Sequence, residues 1–142
     1  MKISIVEDEE VWRNKIKAVI EKYCKNKNIS SQVNSYGRGK DFIKNPDADL
    51  LFLDIELAEG EDGFEIAEQL MHFGNKCKVC FLTSHTEMAR LGYRVNAFRY
   101  IDKRHLEEIN EALDFFFEIR IQDRIIFCND KNGICTKINL NE

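Results

Sequence analysis

The chain has little in it that forces a break. Of its 142 residues one is proline and seven are glycine, and the lone proline, in "NPDAD", marks a turn. No apolar run approaches the roughly 20 residues that span a bilayer, which argues against a membrane protein. The opening "MKISIVEDEE" turns acidic almost at once, so it does not read as a signal peptide and a cytoplasmic location is expected. Excess charge is also small. Lys plus Arg number 21 against 25 Asp plus Glu, a net charge of −4, which excludes a chain that grips nucleic acid by bulk positive charge.

The five cysteines are an odd count, which suits a reducing compartment better than a disulfide framework. "CKVC" over 77–80 has metal-knuckle spacing but opens an apolar run. In a strand an offset of three puts two thiols on opposite faces, so buried thiols are favoured over a metal site. Cys128 and Cys135 flank "NDKNGI" and also read as plain thiols.

What is present is alternation. "KISIV" (2–6) reads as a strand, and Trp12, Ile16, Val19, Ile20 and Tyr23 then form one stripe of a 3.6-residue period. Asp8 is the expected N-cap of that helix, with Glu9 and Glu10 at the positive end of its dipole. "SSQVNSY" is a weak strand, as at a sheet edge, and "GRGKDFIK" a short helix. "LLFLD" (50–54) has no polar alternation, so both of its faces are expected to be covered. Asp62 opens a helix with Phe64, Ala67, Leu70 and Met71 on its apolar face. "KVCFLTS" (78–84) is a buried strand, a fourth helix is expected over 84–92, "AFRYI" (97–101) is a strand, and 104–121 is a last helix with Leu106, Ile109, Leu113, Phe116 and Phe117 inward.

Five βα repeats imply an α/β fold with a doubly wound parallel sheet. The common five-stranded solution is the flavodoxin-like (βα)5 order 2-1-3-4-5, with the ligand crevice between the carboxyl ends of strands 1 and 3. That places Glu7 and Asp8 opposite Asp54. Strand 4 brings Thr83 to the same edge, and strand 5 brings Lys103. Three carboxylates in one crevice repel one another unless a cation intervenes, and Mg²⁺ suits a few oxygens plus phosphate. A lysine and a hydroxyl beside them suit a tetrahedral oxyanion, and one carboxylate so neutralised can act as a nucleophile toward phosphorus.

"IVEDE", "LLFLDIEL", "FLTSH" and "AFRYIDK", in that order over residues 1–121, resemble the receiver domains of two-component response regulators. The resemblance implies that Asp54 accepts a phosphoryl group from a sensor histidine kinase, with Mg²⁺ held by Glu7, Asp8, Asp54 and the backbone carbonyl of Glu56. It implies that Thr83 and Lys103 bind the phosphoryl group, and that Tyr100 swings inward to remodel the face of the fourth helix, fifth strand and fifth helix. Homodimerisation is expected through that face. The side chains of Glu56 and His85, each two residues past a site residue, are expected to tune how long the phosphoryl group lasts.

The chain departs from the family pattern in three places. Its acidic pair is Glu-Asp where Asp-Asp is usual. The loop "DIELAEGEDG" is one residue longer than usual before Gly63. Arg104 replaces a proline after Lys103, which leaves open whether that bond is cis. Residues 122–142 break the alternation and read as two strands around Asn132-Gly133. They resemble the start of a LytTR-type, β-rich output domain, so DNA contact is expected only through an output domain outside this chain. Other readings are a stand-alone receiver acting by protein contacts, a HAD-like phosphatase, which would want Asp where Glu56 stands, and a flavodoxin-like carrier, whose phosphate loop "VEDEE" would repel its ligand.

Overall fold

The structure, a computed structural model, describes residues 1–85 and 95–132, with side chains to residue 124. Five strands, β1 (Lys2–Val6), β2 (Gln32–Tyr36), β3 (Leu50–Asp54), β4 (Lys78–Thr83) and β5 (Arg99–Asp102), form one sheet in the order β2-β1-β3-β4-β5. Every pairing is parallel. The helices are α1 (Glu10–Asn26), α2 (Gly39–Ile43), α3 (Gly63–His72) and α4 (Glu108–Asn132). This is the flavodoxin-like architecture expected from the alternation. The helix expected over 84–92 lies almost wholly outside the described residues.

β3 is buried along its whole length. Leu50 and Phe52 pack with Ile16, Ile20, Ile109 and Leu113 of α1 and α4. Leu51 and Leu53 pack with Phe42, Phe64 and Leu70 of α2 and α3. Alternation in space without alternation in polarity is what a strand covered on both faces requires. Cys80 joins the first of these cores and Cys77 packs on the second, so the two thiols do face opposite ways.

Three expectations need correction. The N-cap of α1 is Glu9, without a side-chain cap bond, so Asp8 lies one residue outside the helix and its carboxylate is left for other work. Met71 is 50 % exposed, and Ile66 completes the buried face of α3 in its place. The face centres on Ala67 and Leu70, and Met71 sits toward its solvent side. Finally, α4 runs to Asn132, so the residues read as the first strand of a hairpin are helical. No glycine or proline interrupts 108–132, and helix continuity there overrides the β-propensity of "RIIF". Residues 133–142, including Cys135 and the second strand expected there, lie outside the described residues.

Candidate phosphoacceptor site

The parallel sheet delivers the site. Asp54 ends β3, Glu7 and Asp8 follow β1, Thr83 ends β4, and Lys103 follows β5. The backbone ties these ends together: the amide of Ile55 donates to Leu82 O at 3.2 Å, and that of Lys103 to Thr83 O at 2.9 Å. Carboxylate oxygens of Glu7, Asp8 and Asp54 all lie within 4.8 Å of one another. Glu7 and Asp54 are buried and Asp8 is half-buried.

Lys103 is the cation that holds the pair. Its Nζ donates to Asp54 Oδ2 at 2.9 Å and lies 2.6 Å from Glu7 Oε2, an ion pair whose alignment falls short of a hydrogen bond. The second oxygen of each acid is met by a main-chain amide: Glu56 N–H donates to Asp54 Oδ1 at 3.1 Å, and Glu9 N–H to Glu7 Oε1 at 3.2 Å. Burial still dominates. It pushes Glu7 up to about 7, with the Asp54 charge adding and Lys103 opposing. It raises Asp54 as well, against the pull of Lys103. Burial works against the charged form of Lys103 too, but the two carboxylates outweigh it and the lysine titrates above its ordinary value.

Two carboxylates facing one ammonium leave negative charge uncompensated, which is the condition a divalent cation relieves. The Glu56 carbonyl accepts no hydrogen bond among the described residues, and is free to serve as an oxygen ligand. Glu7, Asp8, Asp54 and this carbonyl therefore fit Mg²⁺. Glu7 is spent partly on Lys103.

Thr83 is buried, and its hydroxyl trades hydrogen bonds with His85, donating to the carbonyl at 3.1 Å and accepting from the amide at 2.8 Å. Tyr100 is half-buried, stacked on Phe81 at 5.4 Å, with its hydroxyl unpartnered among the described residues. The side chains of Glu56 and His85 meet at 3.7 Å over the site, each more than half exposed. The Lys103–Arg104 bond is trans, and Arg104 reaches back to pair with Asp102 at 2.6 Å.

Two supports were not read from the sequence. Arg13 Nη1 donates to the carbonyls of Glu7 and Asp8 at 2.8 and 3.2 Å, fixing the acidic turn from the first turn of α1. Its spacing from that turn, one helical turn inside α1, was the available signal. Gly63 packs against the backbone of Asp54: a Cβ there would sit 2.3 Å from Asp54 O. The longer loop before it is pinned by Glu61, which accepts from the amides of Gly39 and Lys40 at 3.1 and 2.9 Å.

Residues 3–114 match the model of the response regulator receiver domain. The chain belongs to that family. Sensory transduction protein LytT of Enterococcus faecalis is 31 % identical over 108 residues, 76 % of this chain and 44 % of LytT. The chain thus spans less than half the length of the curated relatives it matches. The response regulatory domain of MrkE from Klebsiella pneumoniae superposes with a TM-score of 0.71 at 28 % identity, covering 86 % of this receiver and 99 % of that domain. TrrA of Thermotoga maritima, solved in complex with Mg²⁺-BeF, shares the fold at a TM-score of 0.68 and 21 % identity, covering 81 % of this chain and 97 % of TrrA. No helix among the described residues is long and apolar enough to cross a membrane.

Proposed function

We propose that this receiver accepts a phosphoryl group on Asp54 from a sensor histidine kinase and, so modified, switches an output. The observation that supports it most is the state of Asp54. It is buried at the end of the central strand, with Lys103 on one oxygen and two further carboxylates in reach. In the transfer a carboxylate oxygen of Asp54 bonds to phosphorus. The bond from phosphorus to the donor nitrogen breaks, and its electron pair leaves with the donor imidazole. Lys103 then meets charge on the phosphoryl oxygens in place of the carboxylate it holds now. Glu7, Asp8, Asp54 and the Glu56 carbonyl would hold Mg²⁺, which would supply charge neutralisation at the acceptor and the phosphoryl group.

Thr83 would exchange its bonds to His85 for one to the phosphoryl group, and Tyr100, whose hydroxyl has no partner among the described residues, would follow it inward. Glu56 and His85, paired above the acceptor, would restrict the water that hydrolyses the acyl phosphate. The receiver is thus read as a signalling domain with its own dephosphorylation chemistry, acting in the cytoplasm. Transcription is the output favoured by likeness to YpdB of Escherichia coli, a transcriptional regulatory protein 29 % identical over 110 residues, 43 % of its length. DNA contact would fall to a LytTR-like region following α4, and dimerisation to the face around β5.

Incubation with Mg²⁺ and acetyl phosphate, followed by mass mapping, tests the central step. An acid-labile adduct on Asp54, absent in Asp54→Asn, is the expected result. No adduct, or one that persists in the variant, overturns it. Glu56→Ala with His85→Ala is expected to change the adduct's lifetime several-fold, and an unchanged decay rate removes their role.

A further inference from the structure

Trp12 is the one tryptophan of the chain, and it stands in the first turn of α1, half-buried against the core between the sheet and α1. As a sequence feature it belongs to the apolar stripe of that helix. In the structure its ring also lies 5.6 Å from Lys103 Nζ. We propose that Trp12 is a positioning residue: its indole face holds the Lys103 ammonium over the carboxylates and keeps it there when Asp54 becomes phosphorylated. The inference rests on Asp54 being the acceptor.

An ammonium has three N–H donors. For Lys103, one points at Asp54 Oδ2 and the charge is shared with Glu7 Oε2. The Trp12 ring is a third group near Nζ, with its centroid 5.6 Å away. Lys103 is 6 % exposed, and a cation against an indole face gains most where water is excluded. The second cation near the ring, Lys15 at 5.0 Å, is exposed and contributes little of this. The contact matters most after transfer. Acyl phosphate formation takes Asp54 Oδ2 or its partner oxygen out of the ion pair, and the lysine must re-aim at phosphoryl oxygens. The ring contact is the one that does not change in that step, so it limits how far a four-carbon side chain can stray.

A purely structural role would ask only for an apolar side chain of similar size. Trp12→Phe keeps a smaller π face, whereas Trp12→Leu keeps apolar bulk without one. With acetyl phosphate and Mg²⁺, phosphorylation of Trp12→Leu is expected to slow about tenfold and that of Trp12→Phe to stay within about threefold of wild type. In a Lys103→Met background, Trp12→Leu is expected to add nothing. A readout independent of phosphorylation is the NMR shift of the Lys103 ε-methylene, ring-current shifted upfield in wild type and Trp12→Phe and normal in Trp12→Leu. Equal losses in the two Trp12 variants, a further tenfold loss in the Lys103→Met background, or an unshifted methylene overturns the proposal. If wild type takes no phosphoryl group at all, the acceptor reading fails and the role fails with it, and an upfield methylene then marks the contact as structural only.

Discussion

At the carboxyl end of the sheet Lys103 lies 6 % exposed between Glu7 and Asp54. At the amino end Lys2 pairs with Asp47 while 46 % and 58 % of the two side chains remain in solvent. The residue types are similar, but Lys2 of β1 meets the segment entering the neighbouring β3, whereas Lys103 reaches from β5 past β4 to the ends of β3 and β1. Their environments differ. Water screens the Lys2 pair and would satisfy either member alone. The Lys103 cluster sits where neither carboxylate can be left alone without heavy cost. A buried cluster of this kind is poor as a fastener and good as a receptacle, because it gains most from a ligand that corrects its charge.

Removing the buried cation should break the comparison hardest. Lys103→Met leaves Glu7 and Asp54 facing each other, and it is expected to lower stability by about 3 kcal/mol in urea unfolding at neutral pH. Added Mg²⁺ should recover part of that loss in the variant. A variant as stable as wild type in Mg²⁺-free buffer would show that the ion pairs do not hold the site.

Next in size is Gly63→Ala. The new methyl would lie 2.3 Å from Asp54 O and 2.9 Å from Ile55 Cα, both backbone atoms of the site, so the chain itself must shift. A loss of about 2 kcal/mol is expected, together with a slower phosphorylation rate that Mg²⁺ does not restore. The glycines of the surface turns make no such contact: a Cβ on Gly74 would meet nothing within 4 Å.

A smaller effect belongs to Asp102, which is half-buried beside the site while its partner Arg104 is exposed. Its bonds to the side chain and amide of Arg104 hold its carboxyl down at about 2, against an ordinary 3.8. A carboxyl depressed in the folded state contributes stability above the unfolded value and loses it as pH falls through the folded one. Asp102→Asn and wild type should therefore differ at pH 5 and converge as pH falls toward 2. Parallel curves over that range would remove the Arg104 contact as the cause.

The frame and the acid cluster were legible because they rest on few-residue signals. "LLFLD" cannot be a half-exposed strand, and a parallel sheet with a switch point brings the ends of β1 and β3 together whatever the loops do. What escaped was of two kinds. Arg13 and Trp12 act from a helix whose periodicity reads them only as helix face and core, and their partners are 91 residues away or are backbone atoms without a sequence letter. The continuation of α4 to Asn132 escaped because "RIIF" has strong β-propensity, a weak prior once a preceding helix is anchored by Ile109, Leu113 and Phe116.

The amino end should give the smallest effect of all. Lys2 titrates above its ordinary 10.5 because of its hydrogen bond to and the charge of Asp47. A lysine raised in the folded state contributes fully below the unfolded value and loses that contribution only as pH climbs through the folded one. The pair is solvated throughout, so Lys2→Met should leave the urea midpoint at neutral pH within error, and 0.5 M salt should not separate it from wild type. Any small difference should be present at neutral pH and shrink only above pH 10.5. A loss at neutral pH as large as that of Lys103→Met would mean that burial is not what distinguishes the two ends of the sheet.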